Sequence, residues 1–314
     1  MRVAVIDVGS NSIKLLVADS GPDGVPVEIT SRTLEVRISR GIASDRPHLL
    51  PEGMDRGIEA VLTLANDARV QGADRILAVA TSAVRDAANG QEFHDRARID
   101  AGVELRILSG MEEANLIGLG LTTDPALRDL KHFHTFDLGG GSLEFLSFRN
   151  REVAFASSMP LGCVRLTEMF VEKPAEPLSE EEAQRIGYHV TETIVNADVP
   201  LPLPLGSSVV GTGGTLTTVR AMVAARTGIR AIEADPVIRV ALLREILSSV
   251  GSVDLAARKR VKGLSAERAD VFPTALVTLL TLAEIGKIES FHHSFRNLRW
   301  GVASSLLAGG EPGA

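Results

Sequence analysis

The stretch Phe133-His134-Thr135-Phe136-Asp137-Leu138-Gly139-Gly140-Gly141-Ser142-Leu143-Glu144-Phe145-Leu146 decides how this chain folds. An apolar run ending in an acid reads as a buried strand, and the glycines and serine after it read as a tight turn into a second strand. Such a turn can close its backbone N–H groups around an anion, and the carboxylates at its two ends suit a hard cation. One glycine turn between strands says little by itself. Its weight comes from a second copy near the N-terminus. Asp7-Val8-Gly9-Ser10-Asn11-Ser12-Ile13-Lys14-Leu15-Leu16 aligns with 137–146, with Asp, Gly, Ser and Leu identical and the apolar frame kept. Two copies, one opening each half of the chain, predict a duplicated α/β fold in which both polar bends face one ligand in a cleft between the halves.

The rest of the chain fills this frame. Residues 3–7, 13–18, 25–31 and 34–39 read as strands. Helical spacing of Met54, Ile58, Val61, Leu62 and Ala65 predicts an amphipathic helix over 51–70. A buried strand at 76–81 leads into Thr81-Ser82-Ala83-Val84-Arg85-Asp86, then a helix at 91–101, a strand at 103–108 and a helix starting near Gly110. The second half repeats the opening with strands at 133–137, 143–148 and 153–157. Ser179-Glu180-Glu181-Glu182 has the form of a capped helix start. A third glycine turn, Gly211-Thr212-Gly213-Gly214-Thr215, sits between a strand and a helix onset. A helix at 273–285, a strand at 288–295 and a terminal helix at 297–307 follow, and 309–314 reads as a disordered tail.

Composition excludes several classes. At 314 residues and 45% hydrophobic content the chain has material for two cores, and a net charge of −7 argues against a broad nucleic-acid surface. The single cysteine, Cys163, rules out an intramolecular disulfide and a cysteine-cluster metal site and fits a reducing compartment. Asp7, Ser10, Asn11 and Lys14 interrupt the apolar N-terminus before a signal core forms, and no apolar run approaches the roughly 20 residues that span a bilayer. A cytoplasmic protein is expected. His132 and His134 share a strand face without a third ligand, and His292 and His293 alternate across a strand, so neither pair makes a metal site.

Six blocks in order carry a resemblance to a known family: 6–12, 80–86, Ser109-Gly110-Met111-Glu112-Glu113-Ala114, 137–144, Leu161-Gly162-Cys163-Val164-Arg165-Leu166-Thr167 and 211–215. Over about residues 3–307 they resemble the exopolyphosphatase and guanosine pentaphosphate phosphohydrolase (Ppx/GppA) family, in its short form without the additional C-terminal helical domains. The resemblance implies two duplicated domains of the actin, Hsp70 and sugar-kinase (ribonuclease H-like) fold around an interdomain phosphate cleft. Domain I is expected at 1–120 plus 298–314 and domain II at 121–297. It further implies hydrolysis of the terminal phosphoanhydride of inorganic polyphosphate, with guanosine pentaphosphate as a second substrate, Mg²⁺ or another divalent cation as cofactor, and a homodimer. A preference for shorter polyphosphate, or for another phosphoanhydride, is expected of the short form.

Phosphoanhydride hydrolysis needs charge neutralisation, a positioned water and a base. The family's Glu-Glu-Ala block puts the base at Glu113. Spacing alone does not separate it from Glu112, although side chains about 100 degrees apart on a helix cannot both face one site. Asp137, Glu144 and Asp7 are the expected metal holders. Gly9, Ser10, Asn11, Ser12, Arg85, Gly139, Gly140, Gly141, Ser142, Gly213, Gly214 and Thr215 are the expected phosphate binders, Arg85 through a bidentate pair. Arg165 is an even choice between phosphate and structural roles, and Arg296 and Arg299 stand undecided between a substrate path and the surface. Two rival readings use the same turns: a small-acid or sugar kinase of this superfold, and a non-catalytic actin-like nucleotide-binding scaffold.

Overall fold

Valine, isoleucine and alanine fill Arg2–Val8 (β1), and burial on both faces leaves its residues 3–8 almost without solvent contact. The chain bends at Gly9–Asn11 and returns antiparallel as β2 (Ser12–Ser20), then β3 (Pro26–Glu35). Helix α1 (Pro51–Val70) buries Met54, Ile58, Val61, Leu64 and Ala65. The unit continues through β4 (Arg75–Ala80), a single turn α2 (Ser82–Arg85), α3 (Gly90–Asp100), β5 (Glu104–Ile107) and α4 (Gly110–Thr122). Its sheet runs β3-β2-β1-β4-β5, with β1, β4 and β5 parallel. The computed structural model describes residues 1–21 and 23–312.

The second unit opens with β6 (Phe133–Leu138), β7 (Leu143–Arg149) and β8 (Glu152–Met159), followed by α5 (Cys163–Phe170), α6 (Glu180–Asn196), β9 (Val209–Thr212) and α7 (Gly214–Thr227). It ends with β10 (Val237–Arg239), α8 (Val240–Gly251), α9 (Leu255–Arg258), α10 (Phe272–Gly286) and β11 (Ser290–His293). Its sheet order is β10-β11-β9-β6-β7-β8. Read from β8, the first five strands repeat the order and the parallel or antiparallel sense of the first unit's sheet, so the duplication seen in one motif extends over both sheets. Contacts divide the chain into Met1–Asp129 with Arg296–Ala314, and Leu130–Phe295. The final helix α11 (Leu298–Leu307) therefore belongs to the first unit, where it packs on α4.

Three differences from the sequence reading have physical causes. The strands expected at 25–31 and 34–39 are one strand, because nothing breaks the β2 ladder between them. It stops at Glu35, where the Val36 and Arg37 N–H groups turn away to the Asn11 carbonyl. Helix α8, whose Val240, Leu243, Ile246 and Val250 are buried, carries a clear helical period that the reading passed over. The expected disordered tail is tied down as far as Pro312. Arg75 pairs with Glu311 at 2.8 Å and Arg106 donates to the Pro312 carbonyl, while the last two residues lie outside the described part. No helix among the described residues is long and apolar enough to cross a membrane.

Candidate active site

In the first unit the polar bend and the Glu-Glu-Ala block are joined by a short chain of contacts. Gly9 N–H bonds to Ser12 O at 3.2 Å and closes the turn. Ser10 Oγ lies 3.2 Å from Ser82 Oγ at the start of α2, and the last residue of that single turn is Arg85. Arg85 donates to Glu113 Oε2 at 2.7 Å and to the Leu108 carbonyl at 3.2 Å. The structure thus gathers Ser10, Arg85 and Glu113 around the carboxyl ends of β1, β4 and β5, where parallel sheets place their ligands.

The helix start separates the two adjacent glutamates. Ser109 caps α4: its hydroxyl accepts from Glu112 N–H, and Glu112 Oε2 accepts from Ser109 N–H at 2.8 Å. Arg106 holds the other Glu112 oxygen at 2.5 Å. These bonds from Ser109, with Arg106 adding, hold the Glu112 carboxyl below its ordinary range. Glu112 is committed to the capping box and 27% of its side chain is exposed, whereas Glu113, one residue on, is 7% exposed and turned toward Arg85.

The second unit's turn closes in the same way, with Gly139 N–H on Ser142 O at 3.0 Å. Its carbonyls are taken by the start of α5. Cys163 N–H bonds to Gly139 O, Val164 and Arg165 N–H to Gly140 O, and Arg165 Nε to Gly141 O. With its carbonyls engaged on one side, the turn keeps the N–H groups that do not close it for another partner. A side chain at Gly162 would put a Cβ 2.2 Å from Gly141 N, so only glycine fits where the two segments meet.

Asp137 and Glu144 face each other directly in the β6–β7 register, and both are buried, 6% and 2% exposed. Ser158 donates to Glu144 at 2.8 Å from the same row on β8, and Thr212 stands beside Asp137 on β9. The third glycine turn presses on this row. A Cβ at Gly213, which has φ 93°, would lie 2.7 Å from Asp137 Oδ1. Among the described residues no group of three or more His, Cys, Asp or Glu forms a metal cage. Two adjacent buried carboxylates at a turn rich in backbone donors still fit Mg²⁺, which takes one or two protein carboxylates and completes its shell with water and phosphate oxygens. In the first unit the counterpart of Glu144 is Lys14, opposite Asp7. Burial pushes the Asp7 carboxyl up from its ordinary value, with Lys14 and Arg299 pulling the other way.

Sequence reasoning overlooked Arg268. It is 9% exposed, its guanidinium packs against Gly214 at the start of α7, and its Nε has no hydrogen-bond partner among the described residues. The Oγ1 atoms of Thr212 and Thr215, on either side of Gly213 and Gly214, also have none among the described residues. The available signal was an arginine four residues before a helix as apolar as α10. Arg299 is internal, donating to Leu15 O, and Arg296 lies over the Trp300 ring, so neither is simply a surface residue. His134 is taken by Ser147. His293 is buried beside Arg220, and burial lowers its imidazole to about 3.

The family profile of the Ppx/GppA phosphatases matches residues 16–309. The chain belongs to the Ppx/GppA phosphatase family. Within reach of it, exopolyphosphatase 2 of Mycobacterium tuberculosis is 32% identical over 321 residues, covering 97% of this chain and 98% of that protein. Exopolyphosphatase 1 of the same organism is 31% identical over 273 residues, or 86% of this chain and 77% of that protein. A Ppx/GppA enzyme structure from Aquifex aeolicus superposes with a TM-score of 0.75 at 26% identity, covering 97% of this chain and 99% of that one. An exopolyphosphatase structure from Cytophaga hutchinsonii gives 0.88 over the full length of both chains; at 22% identity it speaks for the fold.

Proposed function

We propose that this Ppx/GppA chain is an exopolyphosphatase that hydrolyses the terminal phosphoanhydride of inorganic polyphosphate and releases orthophosphate. The observation that carries the reading is the Arg85–Glu113 pair, a half-buried arginine on a buried glutamate, beside the Ser10 turn. It sets a cation for a phosphoryl group next to a carboxylate for a water proton. Glu113 takes the proton of the attacking water, and Arg85, Ser10 and the N–H groups of Ser10 and Asn11 bind and orient the terminal phosphoryl group. In the second unit, the turns Gly139–Ser142 and Gly213–Thr215 offer backbone and hydroxyl donors of their own. Asp137 and Glu144 would hold Mg²⁺ in the second unit, whereas Asp7 stands opposite Lys14 in the first unit's hairpin. When bound, the metal supplies positive charge to the phosphate oxygens and to the leaving chain.

Guanosine pentaphosphate ends in the same kind of anhydride and is taken as a second substrate. A cytoplasmic location, in keeping with one buried cysteine, and a homodimer belong to the same reading. The test is a substrate panel of polyphosphates, guanosine pentaphosphate and nucleoside triphosphates, with Mg²⁺ and without any acceptor. Orthophosphate released from polyphosphate is the expected result. Phosphate appearing only on a small acid or sugar acceptor would make the chain a kinase, and binding without turnover would make it a scaffold.

A further inference from the structure

Between β3 and α1 the chain crosses fourteen residues without regular structure, Val36-Arg37-Ile38-Ser39-Arg40-Gly41-Ile42-Ala43-Ser44-Asp45-Arg46-Pro47-His48-Leu49. The segment carries three arginines and a histidine against one acid, in a molecule whose net charge is −7. It is fastened to the first phosphate turn. Val36 and Arg37 N–H both bond to Asn11 O, at 3.2 and 3.0 Å, Arg37 Nε bonds to Asn11 Oδ1 at 2.9 Å, and Ser39 Oγ bonds to Ser10 O at 3.0 Å. Arg37 has a φ of 39°, a left-handed conformation that costs a non-glycine residue energy and persists where surrounding bonds impose it. Arg56 on α1 adds to them by donating to the Val36 and Arg37 carbonyls. Ile38, Ile42 and Leu49 are buried and anchor the segment from beneath.

This anchoring leaves Arg40, Arg46 and His48 exposed, and among the described residues neither Arg40 nor Arg46 has a carboxylate partner. A shallow open recess lies between the segment and the residues around α2, lined by Ser39, Arg40, Pro47, His48, Ala83 and Ala87. α2 is also the turn that ends in Arg85. Arg37 Nε can only donate, so it fixes the Asn11 amide with Oδ1 toward itself. Asn11 Nδ2 is then left as a donor on a side chain 5% exposed and has no partner among the described residues. A buried donor without a partner costs stability unless something accepts from it, and an anion at the turn would do so.

We infer that the segment 36–49 is a second anion-binding element of the first unit, taking the phosphate groups that follow the one being hydrolysed. The inference rests on the polyphosphate reading above and extends it to a subsite. A linear polyphosphate carries charge along its whole length and is repelled by an acidic protein, so its first few groups need a local basic surface that begins where the terminal group is held. Arg40, Arg46 and His48 supply such a surface, and Arg37 is a positioning residue that sets Asn11 as a donor.

The test is the double variant Arg40→Gln/Arg46→Gln, with binding of long-chain polyphosphate and of orthophosphate measured by calorimetry in a Glu113→Gln background that prevents turnover. Affinity for the long chain should fall about tenfold, and the slope of log Kd against log salt should drop by about one to two. Affinity for orthophosphate, which fills only the terminal position, should stay within about twofold. Equal losses for both ligands, or no loss for either, would overturn the subsite. Polyphosphate binding by the unsubstituted protein without phosphate release would reject the exopolyphosphatase reading alone. Phosphate release with no length-selective loss in the variant would reject the subsite alone, and failure of the unsubstituted protein to bind polyphosphate would reject both.

Discussion

The two Asp-x-Gly hairpins share a backbone and differ in everything placed around it. Each closes with the N–H of its glycine on the carbonyl of its serine, and each stands at the same place in a sheet of the same order. Across the strands beside the acid, the first unit reads Thr33, Lys14, Asp7, Val79, whereas the second reads Ser158, Glu144, Asp137, Thr212. Where the first copy sets a cation opposite its acid, the second sets another acid. The turns are also held by different means: the first by the basic segment that begins at Val36, the second by the start of α5. Duplication kept the turn, which needs only glycine and backbone, and changed the flanks, which decide charge. A hairpin with a lysine suits an anion, and one with two carboxylates suits a cation that itself binds an anion.

The largest effect that would break this division is at the base. Glu113→Gln should lower phosphate release from polyphosphate by about 100-fold or more while phosphate binding persists. Turnover near that of the unsubstituted enzyme would move the proton chemistry elsewhere. Next comes the support of the second turn. Gly162→Ala would drive a Cβ into the Gly140–Gly141 backbone, and a loss of about tenfold in activity with a lower Tm is expected. Ser39→Ala removes one hydrogen bond under the first turn, worth about 1 kcal/mol, and should change activity by less than about threefold. Comparable losses in the two variants would remove the contrast in how the turns are held.

The smallest effect is at Glu112. Its folded carboxyl lies below the unfolded value, so its contribution to stability is present above the unfolded pKa and is lost as pH falls through the folded one. Glu112→Gln should therefore lower Tm by a few degrees at neutral pH, in line with about 1 kcal/mol for a cap, and the deficit should shrink in acid. Activity per folded molecule should fall far less than in Glu113→Gln. A deficit unchanged down to acid pH would mean that the carboxylate charge is not what the cap uses.

Much of this was legible in the sequence because the signals are local. The repeated hairpin fixed two α/β halves, since an acid, a glycine turn and alternating apolar strands sit within ten residues. The helix period fixed α1, and Ser179 followed by Glu182 marked the start of α6. What the sequence left open depends on distant partners. Glu112 and Glu113 have the same chemistry, and they part only because Arg106 and Ser109 take one while Arg85 takes the other. Arg268 reaches Gly214 across more than fifty residues of chain, which no spacing rule would suggest. The run from Val36 to Leu49 looks like a strand and a loop until its bonds to Asn11 are seen.

The proposed function has the duplicated hairpins divide the work, metal to the second and phosphate to the first. It is tested most directly by titrating Mg²⁺ in steady-state phosphate release for the unsubstituted enzyme, Glu144→Gln and Asp7→Asn. Glu144→Gln should raise the half-saturating Mg²⁺ concentration by about tenfold or more, and Asp7→Asn should move it by less than about threefold while lowering the rate. An unchanged Mg²⁺ dependence in Glu144→Gln, or an equal shift in Asp7→Asn, would contradict it.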